Sequence, residues 1–400
     1  MVSQILPEHY FAPVPAHLDH PPAPSATALA TSAQLIGHIQ AEIARDGFMS
    51  FARFMELALY APGMGYYAAG STKFGAGGDY VTAPEISPLF GYALAAQAQQ
   101  LLELGHSHIL ELGAGSGRLA ADLLIGLERR GLAPKRYSIL EVSAELRDRQ
   151  RHTLAALVPR LFDRIEWLER LPPRFSGILI GNEVLDAMPV HLVQTSSGKA
   201  HELGIGCEST TGALVWKTRA LAGELAAIAA ELDLADNYTT EVHLAACGLV
   251  RSLANVLERG VAFFIDYGFP RREYYHAERD QGTLMCHYRQ RAHTDPLVLI
   301  GLQDITAHLD FTALGEAAVA DGLELLGYTS QAQFLINCGI LEFLEAMGPV
   351  NVASYAPAVA RVQKLLSPAE MGELFKVIAL GRGVSQPLLG FKSGNRSGTL

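Results

Sequence analysis

The sequence predicts an α/β protein whose mostly parallel sheet is covered by helices on both faces. Two observations carry this. From His106 onward, apolar strand-like stretches alternate with amphipathic helical ones, and one of those strands runs into a glycine-rich turn that opens a helix. A third observation sharpens it: acidic residues stand at the carboxyl ends of several strands, where open α/β sheets place their ligands.

Taken in order, residues 1–30 are rich in Pro, Ala and His and are expected to form an extended tail. Helical spacing begins at "SAQLIGHIQAEIARDG", where Leu35, Ile36, Ile39 and Ile43 share a face and Gly47 is the expected stop. "MSFARFMELALYAPGMGYY" predicts a second helix ended by Pro62-Gly63. After a glycine-rich loop, "PEISPLFGYALAAQAQQLLELG" predicts a third, with Ser87 as N-cap and Pro88 in the first helical position. Five strands follow: "HSHILELGAGSG", "RYSILEVS", "RIEWLERL", "FSGILIGNEVLD" and "RGVAFFIDYGF". "RLAADLLIGLERRG" and "AELRDRQRHTLAAL" are helices between the first three. Between the fourth and fifth strands, "HLVQTSSGKAHELGIG" is expected to be a hairpin, accompanied by two helical stretches that help cover the carboxyl edge. "VNVASYAPAVARVQKLLSP" is expected to be a terminal helical pair, packed on the domain or on a second copy in a homodimer. The expected division is a tail at 1–30, a helical N-terminal part at 31–105 and core at 106–186. An insertion at 187–257 follows, then the rest of the core with C-terminal helices at 258–400.

A chain of 400 residues exceeds the usual single-domain size, and with 49% hydrophobic residues it can bury a large core. A formal charge of −10 argues against sequence-independent nucleic-acid binding, which needs a basic face, and would attract a basic partner. The cysteines Cys207, Cys247, Cys286 and Cys338 form no C-x-x-C and are expected to be buried thiols in a reducing compartment. No H-E-x-x-H or clustered ligand spacing occurs, so no metal is expected. No apolar run approaches the ~18 residues that span a bilayer. The first forty residues contain no Lys or Arg, so neither a secretory signal nor an Arg-rich transit peptide is expected, and the predicted location is cytoplasmic.

"ELGAGSG", Glu111 to Gly117, follows a strand and opens a helix. Gly113, Gly115 and Gly117 permit a sharp turn and close approach of a ligand, although loops and dinucleotide sites share such glycines. Two features point away from a dinucleotide. The pattern is not G-x-G-x-x-G, and Glu111 is expected inside the turn, where it would oppose a pyrophosphate on the helix. A carboxylate there suits S-adenosylmethionine, which carries a sulfonium, an ammonium and no phosphate. Glu141, ending the second strand, is placed to accept from ribose hydroxyls.

With these features the chain resembles the MidA-like family of class I S-adenosylmethionine-dependent methyltransferases. That family includes the mitochondrial arginine methyltransferase that acts as an assembly factor for respiratory complex I. The resemblance runs from about residue 32 to 385. It rests on "SFARFMELALYAPGMGYY", "GDYVTAPEISPLFG", "ELGAGSGRLAADLL", "LEVS", "GNEVLDAMPVH", "FFIDYG", "GTLMCHYRQRAHTDPL", "GLQDITAHLDFTAL" and "MGELFKVIALGRG". Ala114 and Ser116 depart from the family, which often has Pro or Arg inside the glycine motif. The resemblance implies a Rossmann-like class I methyltransferase core with a helical N-terminal part and an inserted, substrate-covering subdomain. It also implies that "GDYVTAPEISPLFG" lines the cofactor site, with Thr82, Pro84 and Glu85 closing over the adenosyl group. The full cofactor set is Thr82, Pro84, Glu111, Gly113, Ala114, Gly115, Gly117, Glu141, Val142 and Asn182.

The fourth strand ends in "GNEVLDAMPV", which drives an amide and two carboxylates past the sheet. Guanidinium is a poor nucleophile, protonated and delocalised. An arginine methyltransferase therefore wants carboxylates that grip the fork and receive the proton. Glu183 and Asp186 are the catalytic candidates, on one face if the segment starts a helical turn, with Asn182 serving the cofactor side. Bland readings stand beside these: Asn182 as a turn cap, Asp186 as a loop acid before Pro189, Glu85 as a solvated acid. Asp266, Tyr267, His287, Arg289 and Arg291 are further candidates whose participation is open. The functional expectation is a protein arginine methyltransferase acting on a respiratory-complex-type partner. A small-molecule methyltransferase, or an assembly factor without catalysis, are the alternatives, with a nicotinamide oxidoreductase far behind.

Overall fold

The computed structural model of the protein describes residues 23–68, 82–348 and 352–400. Most of the expected tail, and the glycine-rich loop with Gly78–Val81, lie outside the described residues.

The central sheet contains eight strands: seven in the order β6-β7-β5-β4-β1-β2-β3, and the two-residue strand Leu309–Asp310, which pairs in parallel with β5 off that path. In chain order these are β1 His108–Leu112, β2 Arg136–Leu140, β3 Ile165–Leu168, β4 Phe175–Asn182, β5 Leu257–Phe269, β6 Glu324–Ser330 and β7 Phe375–Arg382. The first five pair in parallel, as the alternation with helices requires. β7 runs antiparallel to both neighbours. Side-chain alternation feeds two cores. Ile109, Ile178, Ile180, Val261, Phe263 and Ile265 face the helices Pro88–Glu103 and Arg118–Glu128. Leu110, Leu179, Ala262 and Phe264 face the helices Leu244–Val256 and Phe311–Ala320. Burying both faces explains why these strands are near-continuously apolar.

The N-terminal helices form as their caps and spacing dictate. Ser25 Oγ accepts from the N–H of Ala28 to start Ala26–Asp46, whose Leu35, Ile39 and Ile43 are buried and whose last turn ends on Gly47 at φ 76°. This helix covers the last five residues of the expected tail. Ser50 caps Phe51–Tyr60, and Ser87 with Pro88 starts Pro88–Glu103 as expected. The expected hairpin is present as His191–Ser196 and Lys199–Cys207. It joins a second sheet with Thr239–Val242, Leu214–Ala220 and the two-residue strand Met49–Ser50. Met49 pairs with Ile205, so the N-terminal part and the insertion share a sheet. Their common core takes in Leu35, Phe54, Ala187, Val190, Ile205 and Ile305, which places the N-terminal helices beside the end of β4.

The expected terminal helical pair is instead one helix, Val352–Leu366, with Pro357 inside it. Val362 and Leu365 are buried in the chain's own first core.

Candidate active site

Four strand ends, those of β1, β2, β4 and β5, converge at one edge of the sheet. β1 delivers the glycine turn. Gly113, Gly115 and Gly117 have φ of 59°, 52° and 82°, a left-handed region that costs an L side chain roughly 1–2 kcal/mol. A Cβ on Gly113 would meet Val184 Cγ2 at 3.3 Å, and one on Gly117 would meet Gln150 Cα at 3.2 Å. Glu111 is not inside this turn, as the sequence had suggested. It is the fourth residue of β1, 2% exposed, and Oε2 accepts from Tyr137 Oη at 2.7 Å. Burial pushes its carboxyl up to about 7. Its strand extends one residue beyond it, and the carboxylate supports the turn from beneath through β2.

Glu141 lies just past β2 and is buried. Its Oε1 accepts from Ser143 N–H at 2.9 Å and its Oε2 from Gln150 Nε2 at 2.9 Å. The same Nε2 donates to Gly115 O at 3.1 Å, and Gln150 Oε1 accepts from Trp167 Nε1 at 3.0 Å. One fully buried amide thus ties the glycine turn to the second strand end. Sequence reasoning missed Gln150; its only signal was a polar residue at a core-facing position of a helix. Val142 beside it is 72% exposed, an apolar side chain standing open at the edge.

β4 delivers Asn182 and Glu183, followed by Asp186. No helical turn forms here. Glu183 takes φ 52°, a costly conformation for a non-glycine residue, and this kink, rather than i,i+3 helical spacing, brings the acids together. The kink is held by Glu183 N–H donating to Ile265 O at 2.9 Å. Glu183 Oε1 accepts from Ala83 N–H and from Asn182 Nδ2, each at 3.1 Å. The short helix Ala83–Ile86, with Thr82 at its N-cap and Pro84 buried, is thereby fastened onto the acid. Ser116 Oγ donates to Glu85 Oε1, which fastens the same helix to the glycine turn. Ala114, in that turn, is buried in the core.

Burial, then the charge of Asp186, pushes Glu183 up to about 8. Asp186 is also raised by burial, and so is Asp266, with Asp186 and Glu183 adding to the shift. Two buried acceptors in this group, Asn182 Oδ1 and Asp186 Oδ1, have no hydrogen-bond partner. An unpaired buried polar atom costs about 1–3 kcal/mol, so such atoms point to a ligand that donates to them. Tyr60 contributes from the N-terminal side: its hydroxyl donates to Ala187 O at 2.9 Å and its ring stacks on Tyr67.

The other candidates separate. Asp266 and Tyr267 lie at the end of β5, against Asp186. Arg289 sits exposed at the tip of the hairpin Met285–Tyr288 and Arg291–His293, its guanidinium over the Tyr288 ring. His287 lies within that hairpin, in register with Asp304. A cavity of 380 Å³ is lined by Pro84, Glu85, Arg118, Arg361 and Lys364 but by none of the acids at the ends of β1, β2 and β4. Among the described residues there is no cluster of metal-ligating side chains and no helix long and apolar enough to cross a membrane. Open glycine backbone, a buried carboxylate at Glu141, an exposed apolar Val142 and an orphaned Asn182 acceptor suit a nucleoside carrying a cationic amino acid.

Residues 90–329 match the family described as "Putative S-adenosyl-L-methionine-dependent methyltransferase". The chain belongs to this family. It is 51% identical to a Burkholderia thailandensis protein crystallised with S-adenosyl-homocysteine; the TM-score is 0.92, covering 95% of this chain and 100% of that one. Among curated relatives, "Protein arginine methyltransferase NDUFAF7, mitochondrial" of Danio rerio is 27% identical over 378 residues, 86% of each chain. The Homo sapiens protein of the same name is 26% identical over 380 residues, 86% of this chain and 83% of that one. The protein is an S-adenosylmethionine-dependent methyltransferase with a Rossmann-like α/β fold.

The comparisons correct one expectation. The relatives are named mitochondrial, which contradicts the cytoplasmic location. That reading rested on the absence of Lys and Arg from the first forty residues.

Proposed function

We propose that the protein transfers a methyl group to an arginine side chain of a partner protein. The observation that carries this is the pair Glu183 and Asp186. They are two carboxyls at the end of β4, Glu183 partly buried and Asp186 buried with an oxygen that has no partner, beside the residues that would hold the cofactor. The names of the curated relatives support the same acceptor. The finer expectation of a respiratory-complex partner rests on the family resemblance.

The cofactor, when bound, supplies an electrophilic methyl group on a sulfonium. The glycine turn and Glu141 would receive its nucleoside, and Asn182 Oδ1 would accept from its ammonium. Glu183 and Asp186 do the work on the acceptor side. A guanidinium entering between them provides N–H donors for the orphaned Asp186 Oδ1, and its positive charge favours the ionised carboxylates. Holding the fork fixed orients one nitrogen and draws charge away from it, which is where positioning contributes to rate. Glu183, ionised when the guanidinium sits beside it, is placed to take the departing proton, and the burial that raises its carboxyl makes it a stronger base than an ordinary glutamate. The buried surroundings strengthen each of these interactions.

The test is labelled-methyl incorporation into proteins by the wild-type chain, Glu183→Ala and Gly115→Val. Labelling by the wild type that is lost in both variants is expected. Equal labelling by all three would refute the assignment.

A further inference from the structure

The two oxygens of the Asp186 carboxylate are not equivalent. Oδ2 accepts from the hydroxyl of Tyr267 at 2.5 Å. Oδ1 is buried and has no partner. The asymmetry comes from the end of β5, not from the loop that carries Asp186. Asp266 Oδ2 accepts from the backbone N–H groups of Leu185 at 3.0 Å and Asp186 at 3.3 Å, which fixes the loop at the height of the strand end. Tyr267, the next residue, then reaches the side chain itself.

Tyr267 has little freedom to do otherwise. Its ring meets His308 edge-on at 4.9 Å and Phe375 at 5.2 Å. Thr306 lies beside its oxygen, and the phenol proton goes to Asp186. A donor held this way keeps its direction before any ligand arrives.

We infer that Tyr267 is a positioning residue that occupies Oδ2 of Asp186 and presents Oδ1 alone to the methyl acceptor. This rests on the arginine reading for the identity of the acceptor, but not for the geometry. With Oδ2 of Asp186 already accepting from Tyr267, Oδ1 is the oxygen left without a protein donor and the one a guanidinium N–H satisfies first. Glu183 is restricted likewise, its Oε1 held by Ala83 and Asn182. Each acid therefore has one oxygen free of protein donors, which favours acceptor nitrogens bridged between the two side chains. That arrangement selects an acceptor with two N–H donors set apart, as on a guanidinium, over one with a single amine nitrogen.

The hydrogen bond also favours the ionised form of Asp186. The groups facing this carboxylate are Glu183 on its own loop, Asp266 and Tyr267 on β5, and Tyr60 of the helix Phe51–Tyr60. Asp304, Thr306 and His308 surround Tyr60 and Tyr267. Lys376, in register with Asp266, is engaged with Glu373. None of the other groups supplies a cation to Asp186, so removing the phenol proton should raise its titration midpoint.

The experiment is a carboxylate ¹³C NMR titration of Asp186 in the full chain saturated with S-adenosylhomocysteine, for wild type and Tyr267→Phe. The expected result is a midpoint raised by about one unit or more. Methylation of an arginine-bearing protein substrate should fall roughly 10- to 100-fold at pH 7 and recover in part at higher pH. In an Asp186→Asn background, Tyr267→Phe should add less than about twofold, because the partner is gone. Thr306→Val, which removes the group behind the phenol, should move the midpoint the same way by less, and stands in if Tyr267→Phe does not fold. An unmoved midpoint in folded protein overturns the inference, as does equal loss of activity at every pH. A raised midpoint in a protein that methylates no arginine would sustain the positioning role and refute the arginine acceptor.

Discussion

The two halves of the site are built on opposite principles. On the cofactor half, the polar groups of the chain are paired with one another. Glu111 is bonded to Tyr137, Glu141 to Ser143 and Gln150, and Gly115 O to Gln150. On the acceptor half, Asp186 Oδ1 has no partner, and Glu183, Asp186 and Asp266 crowd together with raised pKa values. The first half is finished before its ligand arrives, save for Asn182 Oδ1. The second carries an unpaired, destabilising arrangement that a cationic ligand relieves, as functional sites commonly do.

Four predictions can break or sharpen this contrast. The largest effect belongs to the acceptor half. Glu183→Gln should lower kcat by about 10²–10⁴ while the calorimetric affinity for S-adenosylmethionine stays within about threefold; a parallel loss of affinity would erase the division between the halves. Next comes Gly115→Val. A β-branched residue at φ 52° should weaken cofactor binding at least roughly tenfold, read by the same titration, with secondary structure intact by circular dichroism. The third is Gln150→Leu, which strands Gly115 O, Glu141 Oε2 and Trp167 Nε1 in the interior. It should cost about 1–3 kcal/mol of stability in denaturant unfolding.

The fourth concerns pH. Glu183 rises from an ordinary value of 4.5 to about 8, and Glu111 to about 7. A carboxyl raised in the folded state contributes its stability below the unfolded value and loses it as pH climbs through the folded one. The ligand-free protein should therefore lose stability between about pH 4.5 and 8 from these groups, seen as a falling melting temperature. A cationic cofactor favours the ionised acids, so binding near pH 7.5 should release protons, measured by calorimetry in buffers of different ionisation enthalpy. Proton uptake would contradict the placement of the acids.

Much of the fold was legible in the sequence, because strands buried on both faces are apolar throughout and each ends in a glycine or an acid. β6 and β7 were not. "LELLGYTS" and "FKVIALGR" follow helical stretches, and nothing local says that they close the sheet with one antiparallel strand. In the site, the turn glycines and Glu141 stand at the strand ends as expected. The location of Glu111 was misjudged by the length of one strand residue, and the relation of Glu183 to Asp186 by assuming a helical turn. A non-glycine residue at φ 52° leaves no trace in composition or spacing. The orphaned oxygens are likewise invisible before folding, since they depend on which donors β5 has already committed elsewhere.

The account stands or falls most directly on where the methyl group goes. The protein and labelled S-adenosylmethionine would be incubated with a cell extract divided by a dialysis membrane, and the retained proteins hydrolysed and analysed by mass spectrometry. Label recovered as methylated arginine in retained protein, and absent with Asp186→Asn, is the predicted result. Label found only in diffusible small molecules would contradict it.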